Sequence, residues 1–169
     1  MQQKTSSEIP YKVSSTEIFP DFPAYGKEIN LRHLLTHRSG LISYYEFVSD
    51  DRREPLLNGE ILSRLKNADS TYFSPGSQFR YGNSSYALIP EIVEQVTGNS
   101  FASFMKTEVF DKLGMQETFI LTDENTDNKR ALGYFFHKDS VQLYDQSLVS
   151  SIIGSKGVCT SVKDYLKWD

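Results

Sequence analysis

Tyr81 and Asn83 stand two residues apart in the stretch Tyr72 to Gly98. Pro75-Gly76 predicts a tight turn ahead of them, because Pro presets φ at its second position and Gly supplies positive φ at its third. Phe79 and Tyr81 then alternate with Arg80 and Gly82, as an extended segment would. Tyr86, Ile89, Ile92, Val93 and Val96 recur at helical spacing, with Asn83 or Ser84 placed to cap the helix and Gly98 to end it. Tyr81 and Asn83 therefore fall where a strand-like segment meets a helix N-terminus, a place that aims side chains and backbone donors at a ligand. Two other groupings suggest metals. His33 and His37 share an i, i+4 spacing, but the glutamate of a His-Glu-x-x-His zinc motif is missing and no third ligand is evident. The plainer reading is that His37 bonds locally and braces the loop at Ser39-Gly40. Asp123, Asn125 and Asp127 imitate the first ligands of a calcium loop, yet Asn128 holds the place of its glycine and Tyr134 that of its glutamate. The plainer reading there is a solvated loop. No metal or other cofactor is expected.

The elements that must position these residues are short. Met1 to Ser7 is polar and expected to be loose, and Glu8 to Ile18 to be a short extended segment or turn, so that residues 1–18 form a loosely ordered N-terminus. Two prolines make Phe19 to Pro23 a loop. Asn30 is placed to cap a helix over Leu31 to Thr36 whose Leu31, Leu34 and Leu35 face the core. Tyr44 to Leu57 reads as loop with a short helix. A helix follows from Asn58 or Gly59 to Asn67, with Ile61, Leu62 and Leu65 apolar. Pro90 lies inside the helix after Tyr81 and is expected to kink it, unless that helix starts late. Ser100 caps a further helix with Phe101, Phe104, Met105 and Val109 on its buried side and Gly114 at its end. Thr122 to Arg130 is a polar loop. Ala131 to Phe136 and Val141 to Tyr144 can pair as strands around Lys138-Asp139-Ser140. Ser161-x-x-Asp164 has capping-box spacing for a helix from Val162, and the chain stops inside that helix at Asp169.

The totals narrow the function classes. A chain of 169 residues is enough for one domain with a core. A net charge of -4, with no long basic run, argues against a nucleic-acid partner. No apolar run is long enough for a membrane span, and the first twenty residues lack the apolar centre of a signal peptide. The single cysteine, Cys159, excludes an internal disulfide and reads as a small buried residue.

The Tyr-x-Asn stretch resembles that of the serine β-lactamase and penicillin-binding-protein family, in its branch of class C β-lactamases and D,D-peptidase-like hydrolases. The hallmark there is Tyr-x-Asn after Phe-x-Pro-Gly-x-x-Phe, and here Phe73-Ser74-Pro75-Gly76-Ser77-Gln78-Phe79 precedes Tyr81-Gly82-Asn83. Leu34-Leu35-Thr36-His37-Arg38-Ser39-Gly40-Leu41 is similar to the family's Leu-Leu-Thr-His-Thr-Ser-Gly-Leu. Phe110-Asp111-Lys112-Leu113-Gly114-Met115 is similar to its Phe-x-Pro-Leu-Gly-Met, with Lys112 where proline is usual. Gly154-Ser155-Lys156-Gly157-Val158 and Thr160-Ser161 through Trp168 match a glycine-rich motif that runs on to a tryptophan. Together the four ordered motifs extend from about Phe19 to the last residue.

The resemblance implies an α+β chain, the mainly helical part of the β-lactamase/transpeptidase-like fold with a few short strands, forming a single partial domain over 1–169. It implies acyl transfer through an acyl-serine on a β-lactam, a D-amino-acid peptide or an ester. Tyr81 would move protons and Asn83 would hold the substrate and a motif lysine. A serine hydroxyl needs activation, and a phenol titrates too high to act as a base near neutrality without cations beside it. The family supplies those through Ser-x-x-Lys and Lys/His-Thr/Ser-Gly motifs. The thirty residues before Leu31 contain no Ser-x-x-Lys. Ser63-Arg64-Leu65-Lys66 and Ser103-Phe104-Met105-Lys106 have the pattern but fall in the wrong place relative to Tyr81. The expectation is an internal fragment, inactive alone, whose partners are a small molecule or cell-wall peptide. Self-association through faces at Leu34, Ile92 and Phe104 is also expected. The family usually works outside the cytoplasm. A non-catalytic peptide- or glycan-binding protein, or a truncated gene product, is the alternative.

Overall fold

The computed structural model describes residues 11–125 and 130–169. It is a mixed α+β arrangement, mostly helical, with two small two-stranded sheets. The α helices are α1 (Ser15–Ile18), α2 (Leu31–Leu35), α3 (Asn58–Lys66), α4 (Asn83–Thr97), α5 (Phe101–Phe104) and α6 (Val162–Trp168). Single 3-10 turns lie at Ala24–Lys27, Tyr44–Phe47 and Asp123–Asn125, and α5 widens into a π-type turn over Met105–Phe110. The strands are β1 (Phe119–Ile120), β2 (Tyr134–His137), β3 (Ser140–Leu143) and β4 (Val158–Cys159).

Where an extended segment or turn was expected, Tyr11 and Lys12 form a turn, Ser14 bridges to Asn30, and Ser15–Ile18 makes one helical turn. Ser14 accepts the Glu17 N–H while the Glu17 carboxylate takes the Ser14 N–H, a reciprocal cap that closes α1 at both orphan donors. Asn30 caps α2 as expected by accepting the His33 N–H at 3.0 Å. Neither Asn83 nor Ser84 caps α4. That helix begins at Asn83 itself after Gly82, with no side-chain cap, because both side chains are engaged elsewhere. Ser100 does cap α5, and Ser161 caps α6. The Ser161-x-x-Asp164 box is only half formed. The Asp164 carboxylate turns inward to the Glu117 N–H at 2.6 Å and the Thr118 hydroxyl at 3.0 Å, tying α6 to the segment before β1.

The core lies between α3 and α4. Ile61, Leu65, Leu88 and Ile92 are almost fully buried there with Leu34, Leu56 and Ile152. The buried face of α4 centres on Ser84, Ala87, Leu88 and Ile92, rotated from the predicted stripe, so that Val96 is exposed. A second cluster, Phe101, Phe110, Met115 and Ile120, packs under β1. Leu34 and Ile92 are buried and Phe104 half-buried, so none of them is an open face.

Helix α4 runs unbroken through Pro90. Proline has no N–H, so the Tyr86 carbonyl loses its usual i+4 donor. Gly154 sits against that same carbonyl. A Cβ on it would lie 2.4 Å from the Tyr86 oxygen and 2.7 Å from Pro90 Cδ, so only glycine lets the backbone come this close. Asn58, the first residue of α3, ties that helix to α4 and to the loop carrying Gly154. Its amide donates to the Ala87 and Ile153 carbonyls at 2.8 and 2.9 Å and accepts the Ile153 N–H at 2.9 Å.

Strands β2 and β3 pair antiparallel around Lys138 and Asp139, both at positive φ, which matches the twist a two-residue hairpin turn needs. Strand β2 begins later than expected, since Ala131 to Gly133 stay outside the ladder, and β3 begins one residue earlier, at Ser140. The pairing of β1 with β4 was not expected from two residues each. It joins segments about forty residues apart, which local pattern cannot reveal.

Candidate active site

Tyr81 leaves the extended segment beside the first turn of α4. Its hydroxyl donates to Asn83 Oδ1 at 2.9 Å, so the two residues singled out by the sequence do meet. Tyr81 is two-thirds exposed and Asn83 is half-buried. The rest of the first turn faces inward. Ser84 Oγ accepts the Tyr44 N–H at 2.7 Å, and Ser85 Oγ meets Ser39 Oγ at 2.7 Å. These buried hydroxyls hold the turn to the loop after α2, which leaves Asn83 free to orient Tyr81.

His37 is the residue whose role the sequence misjudged. It lies past the end of α2 with φ 55°, so it does not share a helix face with His33. Among the described residues no group of His, Cys, Asp and Glu is arranged to hold a metal. His37 braces the tyrosine elbow instead of only its own loop. Its Nδ1 accepts the Gly82 N–H at 3.4 Å, its carbonyl accepts the Arg80 N–H at 3.0 Å, and its ring lies 4.6 Å from that of Tyr81 and 5.0 Å from that of Tyr86. The only sequence signal for this role was the His in the Leu-Leu-Thr-His stretch, 45 residues from Gly82.

The elbow borders a cleft of about 90 Å³ lined by Ser39, Gly40, Tyr72, Arg80, Tyr81 and Ser85, among others. Gly40, at φ 73°, closes its floor against the Phe73 carbonyl, where a Cβ would stand 2.3 Å away. The Arg80 guanidinium stacks on the Tyr72 ring at 3.6 Å. Tyr72 in turn accepts the Ser43 N–H and donates to the Glu46 carboxylate, and its hydroxyl is pushed up by burial and by that carboxylate. Beneath, Tyr44 is fully buried with its hydroxyl unbonded, and burial pushes it up to about 12.

The two Ser-x-x-Lys patterns are not paired sites. Lys66 reaches Asp21 at 2.8 Å and lies over the Phe19 ring, while Lys106 reaches Asp111 at 2.8 Å. Ser63 and Ser103 are exposed and take no bond from these lysines. Asn125 does not behave as a calcium ligand either. Its side chain accepts the Thr122 N–H and donates to the Ile120 carbonyl, both at 2.8 Å. Asp127 and Asn128 of that pattern lie outside the described residues.

A family model described as Beta-lactamase matches residues 10–169. The chain belongs to the beta-lactamase family. This beta-lactamase-family chain is 36% identical over 136 residues to "Penicillin-binding protein 4*" of Bacillus subtilis, covering 75% of the chain and 30% of that protein. It is 26% identical over 148 residues to a D-aminopeptidase of Brucella anthropi, covering 85% of the chain and 28% of the relative. Among solved structures, a penicillin-binding protein from Bacillus halodurans superposes with a TM-score of 0.75 at 25% identity, over 93% of the chain and 49% of the other. A D-amino acid amidase from Ochrobactrum anthropi superposes with a TM-score of 0.74 at 21% identity, over 94% and 48%, a likeness of fold. The chain thus spans about 30% of the length of these curated relatives and under half of these solved chains.

Proposed function

We propose that the chain carries the tyrosine part of a serine-hydrolase site that transfers acyl groups through an acyl-serine, on a β-lactam, a D-amino-acid peptide or an ester. One observation carries this reading: the Tyr81 hydroxyl, held by Asn83 at 2.9 Å, stands open on the rim of a cleft. The phenol's proton is turned to Asn83 Oδ1, which leaves the lone pairs of its oxygen open to accept a proton from the cleft, as a proton-transfer group requires. Asn83 spends its carbonyl on Tyr81 and keeps its NH₂ donors for a substrate carbonyl or a neighbouring side chain. The relative named D-aminopeptidase supports the D-amino-acid class.

Both Ser-x-x-Lys lysines are committed to aspartates, so we expect the described residues to supply no activated nucleophile and the 169-residue chain to give no measurable turnover. The test is labelling with a fluorescent penicillin and a fluorophosphonate, read by intact mass. It is made on the 169-residue chain and on the product of the whole surrounding reading frame. We expect no adduct on the former. On the latter we expect one acyl-serine whose rate of formation falls about 10²-fold in Tyr81→Phe. An adduct mapped to Ser63 or Ser103 of the 169-residue chain overturns the account of the nucleophile. An unchanged rate in Tyr81→Phe overturns the role of Tyr81.

A further inference from the structure

Strands β2 and β3 pack on each other and on little else, and every residue of both is exposed. Their two faces differ. On one, Phe135 packs edge-on against the Tyr144 ring at 5.6 Å and lies 6.1 Å from the His137 ring. On the other, the cross-strand pairs Tyr134–Leu143 and Phe136–Val141 form a ladder of aromatic and aliphatic side chains, each 59–70% exposed. Among the described residues neither Tyr134 nor Phe136 makes a ring contact. Neither strand holds an acid, a lysine or an arginine, the residues that usually protect an open sheet from pairing. The base of the hairpin is fixed. Asp145 pairs with Arg130 and accepts the Gly133 N–H at 2.8 Å, and the Tyr144 N–H donates to the Gly133 carbonyl at 2.9 Å. The ladder is thus presented on an anchored support, and a lone two-stranded hairpin is marginal in water until one face is covered.

We propose that this ladder docks a second copy of the chain, the two open faces stacked about a two-fold axis that runs along the strands. The face is self-complementary under that operation. Its large rings, Tyr134 and Phe136, lie on β2, and its smaller side chains, Val141 and Leu143, lie on β3. The axis sets β2 of one copy over β3 of the other, so large side chains meet small ones. The same axis brings both hairpin tips to one end. There Lys138, which follows β2, faces Asp139, which precedes β3, on the second copy, and opposite charges meet. Area sets the strength. An aromatic side chain carries about 150–250 Å² of surface, so one ladder leaves on the order of 450 Å² open. With the tips, a pair removes on the order of 1,000 Å², the size of a weak and reversible association with a micromolar dissociation constant. A lipid surface fits the hairpin less well, because Lys138 and Asp139 lead it and would enter the hydrocarbon first.

The experiment is sedimentation velocity of the 169-residue chain and of the product of the whole surrounding reading frame, from about 1 to about 200 μM. The expected result is a monomer–dimer equilibrium in both and nothing larger, because a two-fold contact closes on itself. Phe136→Lys raises the dissociation constant at least about tenfold, with an unchanged thermal midpoint. Val141→Thr keeps the β-branched shape while removing apolar surface, and raises it about threefold. Leu166→Lys, on α6, leaves it unmoved. A monomer at every concentration overturns the proposal, as do assemblies larger than a dimer. So does a dimer that Phe136→Lys leaves unmoved or that Leu166→Lys removes. A dimer of the 169-residue chain beside a monomeric whole product also overturns it, since further chain then covers the ladder. Co-flotation with phosphatidylcholine vesicles that is lost in Phe136→Lys overturns the second copy in favour of a lipid surface.

Discussion

Replacing Asn58 by alanine would remove three hydrogen bonds at once, a buried one to the Ala87 carbonyl and two half-buried ones to the Ile153 carbonyl and N–H. Unsatisfied buried groups cost about 1–3 kcal/mol each, and partial relaxation lowers the sum. We expect Asn58→Ala to lose about 2–4 kcal/mol in urea unfolding with an unchanged slope. A loss under about 1 kcal/mol would show that water reaches these groups. His37 is the other residue whose work exceeds its type. It binds the Gly82 N–H and packs on Tyr81 and Tyr86, so it sets where the phenol stands. Composition and spacing allowed a metal or a local brace, and the structure chose a brace on a different segment.

At the scale of elements, α4 and the Gly154 loop are one unit. Pro90 frees the Tyr86 carbonyl, and Gly154 fills the space beside it at φ +88°. Gly154→Ala is expected to cost at least about 2 kcal/mol, because a Cβ would strike backbone and because the φ is strained for any other residue. Gly59→Ala is the control. Nothing lies within 4 Å of its Cβ position on α3, so the change should stabilise by about 0.5 kcal/mol. Matched thermal melts of the two variants decide the point, and equal midpoints would contradict it. The β2–β3 hairpin shows the limit of such local arguments. Its strand pattern and turn were legible, yet Tyr134, Phe136, Val141 and Leu143 all lie on one open face.

For the whole molecule, two charge effects set the pH range. The Arg130 guanidinium and the Gly133 N–H hold the Asp145 carboxyl well below its usual range, and hydrogen bonds from Lys167, Glu117 and Thr118 lower Asp164. Glu60 is lowered beside Arg52 and Arg64. A carboxyl depressed in the folded state stabilises above its unfolded value near pH 4, and that stability is lost as pH falls through the folded value. Glu91 opposes them, raised by burial and by Glu94. At the alkaline end, burial lifts Tyr25 and Tyr44 to about 12. Their contribution is full below the phenol's ordinary value near 10 and is lost as pH rises through about 12. Urea midpoints should therefore hold a plateau at neutrality and fall at both ends, with Asp145→Asn flattening the acid limb. A midpoint that rises below pH 4 would contradict the sign. The same view places the open apolar surface on the hairpin and on α6, where Phe136, Val141, Val162 and Leu166 are each about 70% exposed or more. Concentration-dependent sedimentation is expected, relieved in Phe136→Lys. A monomer at all concentrations would contradict it.

The sequence by itself determined the family and the mainly helical α+β class, because four motifs stand in order and each is local in the chain. It also located Tyr81 and Asn83, whose two-residue spacing lets their side chains meet without help from elsewhere. The N-caps at Asn30, Ser100 and Ser161 were legible for the same reason, since a cap reads only the next three residues. Where a side chain had two partners to choose from, tertiary structure decided. Ser84 gave up a cap for the Tyr44 N–H, Asp164 left its box for Glu117 and Thr118, and the lysines of both Ser-x-x-Lys patterns went to aspartates. The cleft itself, with Arg80 set on Tyr72 beside Ser39 and Tyr81, joins segments tens of residues apart. Such contacts depend on how α2 and α4 pack, and packing is a property of surfaces that no stretch of chain holds alone.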